Sequence, residues 1–150
     1  MSEDRTVYDP EAAEMVLDAA NAIAQAMEPP CRAMFEELTA EPGEMPRLML
    51  KPTASDAVER RYISGEAIRN FPFSATLRTA CDSEQDSLDA HAWLTAFCAA
   101  FETADLSMDG YAVFRTPGGR QRTVPTCLGR TERFEDWQVT FELKYKQIIR

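Results

Sequence analysis

The clearest pattern in the chain is a strict alternation of apolar and polar residues near its C-terminus. Apolar side chains occupy every second position there, and the positions between them are polar or charged. The apolar set is Trp137, Val139, Phe141, Leu143 and Tyr145. Because successive side chains of a strand point to opposite faces, this segment predicts a long β-strand with one buried and one wet face.

Shorter segments with the same alternation predict further strands. These segments are residues 47–51, 58–63 and 71–78. Pro72 has no backbone N–H for a sheet ladder, so we expect it at a strand start or on an edge. Farther along, residues 111–115 are strand-like, residues 116–120 are typical of a turn, and residues 121–130 have a weak strand pattern.

Two segments with apolar residues at helical spacing predict amphipathic helices. The first covers residues 10–28, and Pro29 and Pro30 end it because proline cannot continue a helix. The second begins with Asp82 or Ser83 as its N-cap and ends near Ala104. Its acidic first turn favours this start, since the helix dipole stabilises acids there.

The order of these elements predicts the fold class. Residues 31–45 have no clear period, and they fit either a short strand or one helical turn. The remaining elements follow the order helix, strands, helix, strands, which favours an α+β fold over a doubly wound one. We therefore expect a mainly antiparallel sheet with two principal helices packed on it. No repeat or linker divides the chain, so residues 1–150 are predicted to form a single domain.

Charge limits the classes of partner. The chain has 45% hydrophobic and 27% charged residues, an ordinary balance for a soluble domain, but its net charge is −9. That charge argues against a broad surface for nucleic acid or for an acidic membrane. No apolar run approaches the roughly 18 residues of a membrane helix, and the acidic residues 1–4 are unlike a secretion signal.

Acidic and basic residues are also segregated along the chain. Residues 1–28 hold seven acids and one base, and residues 81–110 hold seven acids and neither Lys nor Arg. Residues 111–150 hold eight bases and four acids. Two faces of opposite sign would suit head-to-tail assembly of identical subunits. Solvated faces explain the same segregation without any assembly.

The residue types used in most enzyme chemistry are few and widely spaced. His91 is the only histidine, and Cys98 follows it two helical turns later, beyond hydrogen-bond reach. No Cys-x-x-Cys pair occurs, which argues against a zinc site, and we expect all cysteines to be reduced. They are Cys31, Cys81, Cys98 and Cys127. We predict a protein that is not an enzyme, with no catalytic, cofactor-binding or metal-binding residue.

Three other groups of residues have a structural explanation beside a functional one. The carboxylate pairs Glu36 with Glu37 and Asp86 with Asp89 suit acid–base chemistry, but they fall in segments expected to be solvated. Four arginines flank a glycine turn and indicate either a partner contact or a solvated loop: Arg120, Arg122, Arg130 and Arg133. The aromatic residues fit core spacing better than a ligand cage: Phe71, Phe73, Trp93, Phe97, Phe101, Trp137 and Phe141.

From residue 46 onward, the chain carries a series of short features in a fixed order. A Tyr-Ile-Ser-Gly segment leads into an Asn-Phe-Pro-Phe-Ser strand, an Ala-Trp-Leu helix follows, and acidic residues precede a closing aromatic strand. The features are residues 62–65, 70–74, 77–78, Asp82, 92–94, Pro125, 129–132, 135–139 and 141–145. In this order they resemble the phage minor capsid and tail-terminator (tail completion) proteins of long-tailed phages and prophages. Residues 31–45 match no part of that pattern.

The resemblance implies a subunit of a homo-oligomeric ring, commonly a hexamer. Such a ring lies at the head-proximal end of the tail, where it ends polymerisation of the tail-tube protein and joins the tail to a head-completion or neck protein. The implied location is the virion tail or neck, after assembly in the bacterial host cytoplasm. The resemblance also implies that the protein has no cofactor, does not associate with a membrane and does not bind nucleic acid specifically. Residues 52–59 and 116–130 are the candidate loops for the ring lumen.

Two other interpretations remain open at the level of sequence. One is a small-ligand or partner-binding α+β domain unrelated to phage, which predicts an apolar pocket between the sheet and the helices. The other is an enzyme that uses His91 or a carboxylate pair.

Overall fold

Two long strands, paired along their whole length, form the centre of the fold. The computed structural model describes residues 8–36, 46–53, 58–61, 67–104, 111–113, 120–131 and 134–147. In chain order its elements are α1 (Tyr8–Gln25), β1 (Arg32–Phe35), β2 (Arg47–Pro52), β3 (Val58–Arg61), β4 (Ala67–Ala80), α2 (Glu84–Glu102), β5 (Tyr111–Val113), β6 (Arg120–Gln121), β7 (Thr126–Arg130) and β8 (Phe134–Gln147).

All described strands belong to one sheet with the path β1-β2-β4-β8-β5. β3 pairs with β4 beyond the end of β2, while β6 and β7 pair with β8 along the same side as β5. Only β1 and β2 are parallel, and every other described pair is antiparallel. The predicted α+β fold, with a mainly antiparallel sheet and two principal helices, is confirmed.

Both helices cover the same face of the sheet. α1 turns small side chains spaced four residues apart towards the core, each at most 1% exposed: Ala12, Val16, Ala20 and Ala24. α2 brings Phe101 against Phe73 of β4 and Phe141 of β8, with ring centroids 5.1 to 5.7 Å apart. These separations are typical of packed aromatic pairs, whose stacked and edge-on contacts add to the burial of their area. The core therefore lies between the helices and the two central strands.

The predicted helices and the terminal strand are confirmed, with small shifts at their ends. α1 ends at Gln25, shortly before Pro29 and Pro30. α2 has Ser83 as its N-cap, and the Ser83 hydroxyl accepts a hydrogen bond from the backbone N–H of Asp86 at 3.3 Å. In β8 the alternating positions Val139, Phe141 and Leu143 are at most 1% exposed. Capping and periodicity therefore located these elements correctly.

The expectation for Pro72 is wrong, because this residue lies inside the central strand β4. β8 pairs with it on one side, where Pro72 is opposite Glu142. On the other side, β2 ends opposite Phe73 and β3 begins opposite Arg69. The Pro72 carbonyl accepts a hydrogen bond from Thr53 N at 2.9 Å on that side. The N–H that proline lacks would point to the same side, into the gap between two strands, so the ladder loses little.

The ambiguous segment 31–45 contains the edge strand β1. The Asn21 side chain of α1 reaches this edge, where Oδ1 accepts from Ala33 N and Nδ2 donates to Ala33 O, each at 2.9 Å. These two bonds occupy backbone groups of β1 that point away from β2. They protect an edge that would otherwise be open to strand addition.

The candidate lumen loops are described only in part. Residues 54–57 and 114–119 lie outside the described residues, as do segments 62–66 and 132–133 of the resemblance pattern. Much of the second candidate loop is not a loop: β6 and β7 lie within residues 116–130 and pair with β8. No helix among the described residues is long and apolar enough to cross a membrane.

Candidate functional site

The structure separates the two residues that sequence analysis considered for nucleophilic chemistry. His91 is exposed on α2, and its ring makes an edge contact with Trp137 of β8 at a centroid distance of 5.4 Å. Cys98 is buried on the core side of the same helix at 1% exposure. Burial raises the pKa of the Cys98 thiol to about 12, with a smaller contribution from Glu102. A thiol of that pKa is protonated at neutral pH and is a poor nucleophile.

The carboxylate pairs do not converge on a site among the described residues. Glu36 is exposed just after β1, and Glu37 lies outside the described part of the chain. Asp86 accepts a hydrogen bond from Asp82 N at 2.8 Å, and Asp89 accepts one from Gln85 Nε2 at 2.9 Å. These contacts are local to the start of α2. Within the described ranges, no three His, Cys, Asp or Glu side chains gather as a metal-binding group.

One buried carboxylate is the centre of a hydrogen-bond cluster that joins three elements. Glu135 of β8 is 1% exposed. It accepts from Trp137 Nε1 at 2.7 Å, from Ser87 Oγ of α2 at 3.0 Å and from Arg130 Nε of β7 at 2.8 Å. Arg130 Nη2 also contacts Glu135 Oε2 and donates to Ser87 Oγ at 2.6 Å. We call Glu135, Arg130, Ser87 and Trp137 the Glu135 cluster.

The donors of the Glu135 cluster keep the Glu135 carboxylate ionised in a buried position, where an unpaired charge would be unfavourable. Burial by itself would raise the pKa of Glu135, but the donors Trp137, Arg130 and Ser87 outweigh it and hold the pKa below its ordinary value. The same hydrogen bond raises the pKa of Arg130. The cluster fastens β7 and the start of α2 to β8, and its carboxylate has donors on both oxygens. We assign it a structural role.

Two of the four arginines near the glycine turn pair with carboxylates inside the subunit. Arg130 is committed to Glu135, and Arg122 forms an ion pair with Glu142 at 3.7 Å. Residue 133 and the side chain of Arg120 lie outside the description. The two guanidinium groups that the structure describes are therefore paired with carboxylates of the same subunit.

The face of the sheet opposite the helices carries the polar members of each alternating strand. Gln138 Nε2 donates to Thr76 Oγ1 at 3.3 Å, and the Thr140 and Thr123 hydroxyls lie 3.0 Å apart. Ser74 and Thr76 are nonetheless at most 4% exposed. We call this surface the open face, because no described helix covers it.

Three arginines line up across adjacent strands at one end of the open face. In register, Arg32 of β1 is paired with Arg47 of β2, Arg47 with Arg78 of β4, and Arg78 with Asp136 of β8. Residues paired in register point to the same face. With strands about 4.8 Å apart, the three arginine positions span about 10 Å. We call Arg32, Arg47 and Arg78 the arginine row.

The arginine row carries more positive charge than the described carboxylates neutralise. Arg78 forms a two-pronged ion pair with Asp136, with N–O distances of 2.8 and 2.9 Å, and its guanidinium carbon lies 3.9 Å from the centre of the Phe134 ring. The hydrogen bond to Asp136 raises the pKa of Arg78. Arg47 Nε is buried and has no hydrogen-bond partner among the described residues. Arg32, beside it, is exposed.

The opposite charge gathers on the helix-covered side of the same end. β4 ends at Ala80, and the acidic start of α2 follows at once, with no basic residue in it. Its acids are Asp82, Glu84, Asp86 and Asp89, of which only Asp86 is partly buried. We call these four residues the acidic turn. The arginine row and the acidic turn therefore lie at the same end of β4, on opposite sides of the sheet.

Sequence analysis missed both the Glu135 cluster and the arginine row. Glu135 lies an even number of residues before Val139, Phe141 and Leu143. Extending the alternation backwards would therefore have placed it on the buried face. The arginine row depends on the pairing of β1, β2 and β4. No local pattern aligns Arg32 with Arg47, because strand register is a long-range property.

The fold has counterparts among solved structures at low sequence identity. A chain in a structure of the virion of a native gene transfer agent (GTA) particle aligns with a TM-score of 0.61 and 13% identity, over 96% of this chain and 99% of that chain. A second solved structure aligns with a TM-score of 0.50 and 16% identity, over 99% of each chain. No family model and no curated protein matches this chain. At these identities, the likeness establishes a shared fold.

Proposed function

We propose that this protein is a structural component of a phage or phage-like particle, and that it is not an enzyme. It forms a homo-oligomeric ring, commonly of six subunits in the family it resembles, at the head-proximal end of the tail. There it ends polymerisation of the tail-tube protein and joins the tail to a neck or head-completion protein. Its place in the finished particle is the tail or neck.

The observation that carries this proposal is the end-to-end likeness to a chain of a gene transfer agent virion. The alignment covers 96% of this chain and 99% of the other, so nearly the whole of each chain takes part in the shared fold. A likeness confined to one motif would not support a shared role in the same way. The order of short features between residues 46 and 150 supports the same proposal independently.

The packing of the interior favours a structural subunit over the ligand-binding alternative. A ligand domain of this class would hold an apolar pocket between sheet and helices. Here Phe73, Phe97, Phe101 and Phe141 occupy that interface, each at most 1% exposed and in mutual ring contact. The segregation of charge between the open face and the start of α2 suits the head-to-tail contacts of a closed ring.

The test measures assembly directly. Light scattering across a concentration series, alone and with a phage tail-tube protein, gives the mass of the assembly, and negative-stain microscopy gives its shape. We expect annular multimers, and we expect tubes of fixed length that carry the protein at one end. A protein that stays monomeric at every concentration, and that leaves tube length unchanged, would refute the proposal.

A further inference from the structure

The arginine row is a charge cluster that the folding of the described chain does not account for. Like charges directly opposite on a sheet destabilise the pair, yet Arg47 faces an arginine on each side in register. Asp136 supplies a carboxylate to Arg78 alone. Among the described residues, neither Arg32 nor Arg47 has an ion-pair partner. A partner outside the subunit would remove the repulsion.

We propose that the arginine row binds the acidic turn of a second copy of this chain. The inference rests on the proposed function, since it names the contact by which neighbouring subunits of the ring meet. Guanidinium groups pair closely with carboxylates, often through two parallel hydrogen bonds. The contact joins two different patches of identical subunits, which is the kind of contact that closes a ring.

The two patches match in spacing as well as in sign. Asp86 and Asp89 are three residues apart on α2, so they are separated by about 4.5 Å along the helix axis. Neighbouring arginines of the row are about 4.8 Å apart because they belong to adjacent strands. A helix start lying across the strands would therefore set successive carboxylates against successive guanidinium groups. Each carboxylate has acceptor capacity beyond its contact inside α2.

The positions of the patches also meet the geometric condition for a ring. Subunits of a closed ring are related by rotation without translation. Two contacting patches must therefore lie at the same height along the ring axis, one on the side of the subunit that meets the preceding copy and one on the side that meets the following copy. The arginine row includes Arg78 near the end of β4, and Asp82 follows four residues later on the helix-covered side. The arginine row and the acidic turn meet this condition when β4 lies parallel to the ring axis, because they lie at the same end of β4 on opposite sides of the sheet.

Charge favours a copy of this chain over nucleic acid as the occupant. Binding to a nucleic-acid duplex depends on Lys and Arg that neutralise many phosphates, whereas the row supplies three arginines on a chain of net charge −9. Copies with a net charge of −9 also repel one another, and a local match of opposite charges offsets that repulsion where they meet.

The test is a charge swap measured on the full-length protein. Arg47→Glu and Asp89→Arg are made singly and together, and association is followed by light scattering over concentration, with and without the tail-tube protein. We expect each single variant to weaken association at least about tenfold and the double variant to recover most of that loss. Lys51→Glu, on the same strand and face as Arg47, and Asp18→Arg, exposed on α1, are matched controls that should associate like the wild type.

Each outcome decides one question. If the wild type forms rings and the single variants do so equally well, this contact is wrong while the proposed function stands. If the double variant stays as weak as the single ones, the two patches do not meet. If the wild type never associates, alone or with tube protein, both proposals fail. Rings that survive Arg47→Glu, together with weaker binding of a short DNA duplex, would assign the row to phosphate instead. Should Arg47→Glu fold poorly by circular dichroism, Arg32→Glu takes its place.

Discussion

Two consecutive carboxylates of β8 show how differently the two faces of the sheet use charge. Glu135 points to the helix-covered face, is 1% exposed and has donors from three other side chains. Asp136 points to the open face, is about one-fifth exposed and pairs with Arg78. On the first face, the charges are matched inside the subunit. On the second, one carboxylate faces a row of three arginines.

The two carboxylates distinguish the face that stabilises the subunit from the face that is available to a partner. A buried charge is tolerated only when hydrogen bonds and a counter-charge surround it, and the Glu135 cluster meets that requirement internally. No described helix covers the open face, and Arg32 is exposed on it, so a partner can reach the arginine row. We therefore expect substitutions on the helix-covered face to lower stability, and substitutions in the arginine row to lower assembly.

The largest effect is expected in the aromatic core. Phe141→Ala removes a ring that contacts Phe73, Phe97 and Phe101, and large-to-small changes of this kind cost about 3 to 5 kcal/mol. The matched control is Gln138→Ala on the open face of the same strand, with an expected loss of about 1 kcal/mol or less. Urea denaturation of the two variants measures both losses. Equal losses would show that both faces contribute alike to stability.

The next effect separates the two neighbouring carboxylates. Glu135→Ala leaves the Trp137 and Ser87 donors without their acceptor in a buried place, and we expect a loss of about 2 to 4 kcal/mol. Asp136→Ala removes a partly exposed ion pair, for which about 1 kcal/mol is expected. Free energies of unfolding from urea titrations test this order. A larger loss for Asp136→Ala would reverse the roles that we give to the two faces.

A smaller effect follows from the protonation of Glu135. Its pKa in the folded state lies below the ordinary value of 4.5, so the folded protein binds the proton less readily than the unfolded chain does. The contribution of ionised Glu135 to the free energy of unfolding is therefore complete above about pH 5.5, and it is lost as the pH falls through the pKa of Glu135 in the folded state.

Glu135→Gln, which cannot ionise at this position, measures the size of that contribution. We expect the wild type to lose stability more steeply than Glu135→Gln below about pH 4.5, with parallel behaviour of the two proteins near neutral pH. Urea titrations at constant ionic strength from pH 7 downwards give the comparison. Identical slopes in acid would show that Glu135 titrates alike in the folded and unfolded chains.

The sequence predicted the parts of this molecule that local rules determine. The alternation in β8 and the Ser83 cap of α2 are properties of a few consecutive residues, so they can be read without knowing the rest of the fold. The error at Pro72 has the opposite origin. A proline inside a central strand is tolerated because β2 ends and β3 begins beside it, and that junction is visible only once three strands are assembled.

The candidate interaction surface was beyond sequence analysis for the same reason. Segregation of charge along the chain indicated that opposite patches exist, but it pointed to the arginines near residues 116–130 as the basic side. Two of those, Arg122 and Arg130, are paired within the subunit. The basic row instead comes from β1, β2 and β4, where strand register brings residues 32, 47 and 78 together.

The smallest expected effect on stability has the opposite sign from the others. Arg47→Met keeps an unbranched stem but removes the guanidinium group, and with it the repulsion from the neighbouring arginines. We expect the free energy of unfolding of the monomer to stay unchanged or to rise by up to about 1 kcal/mol, while association weakens as it does in Arg47→Glu. Arg78→Met is the control, since it deprives Asp136 of its partner and should destabilise the monomer. Urea denaturation at a concentration below association, followed by light scattering, separates the two quantities. A clear loss of monomer stability in Arg47→Met would mean that Arg47 is neutralised within its own subunit, and the open face would then serve folding as the helix-covered face does.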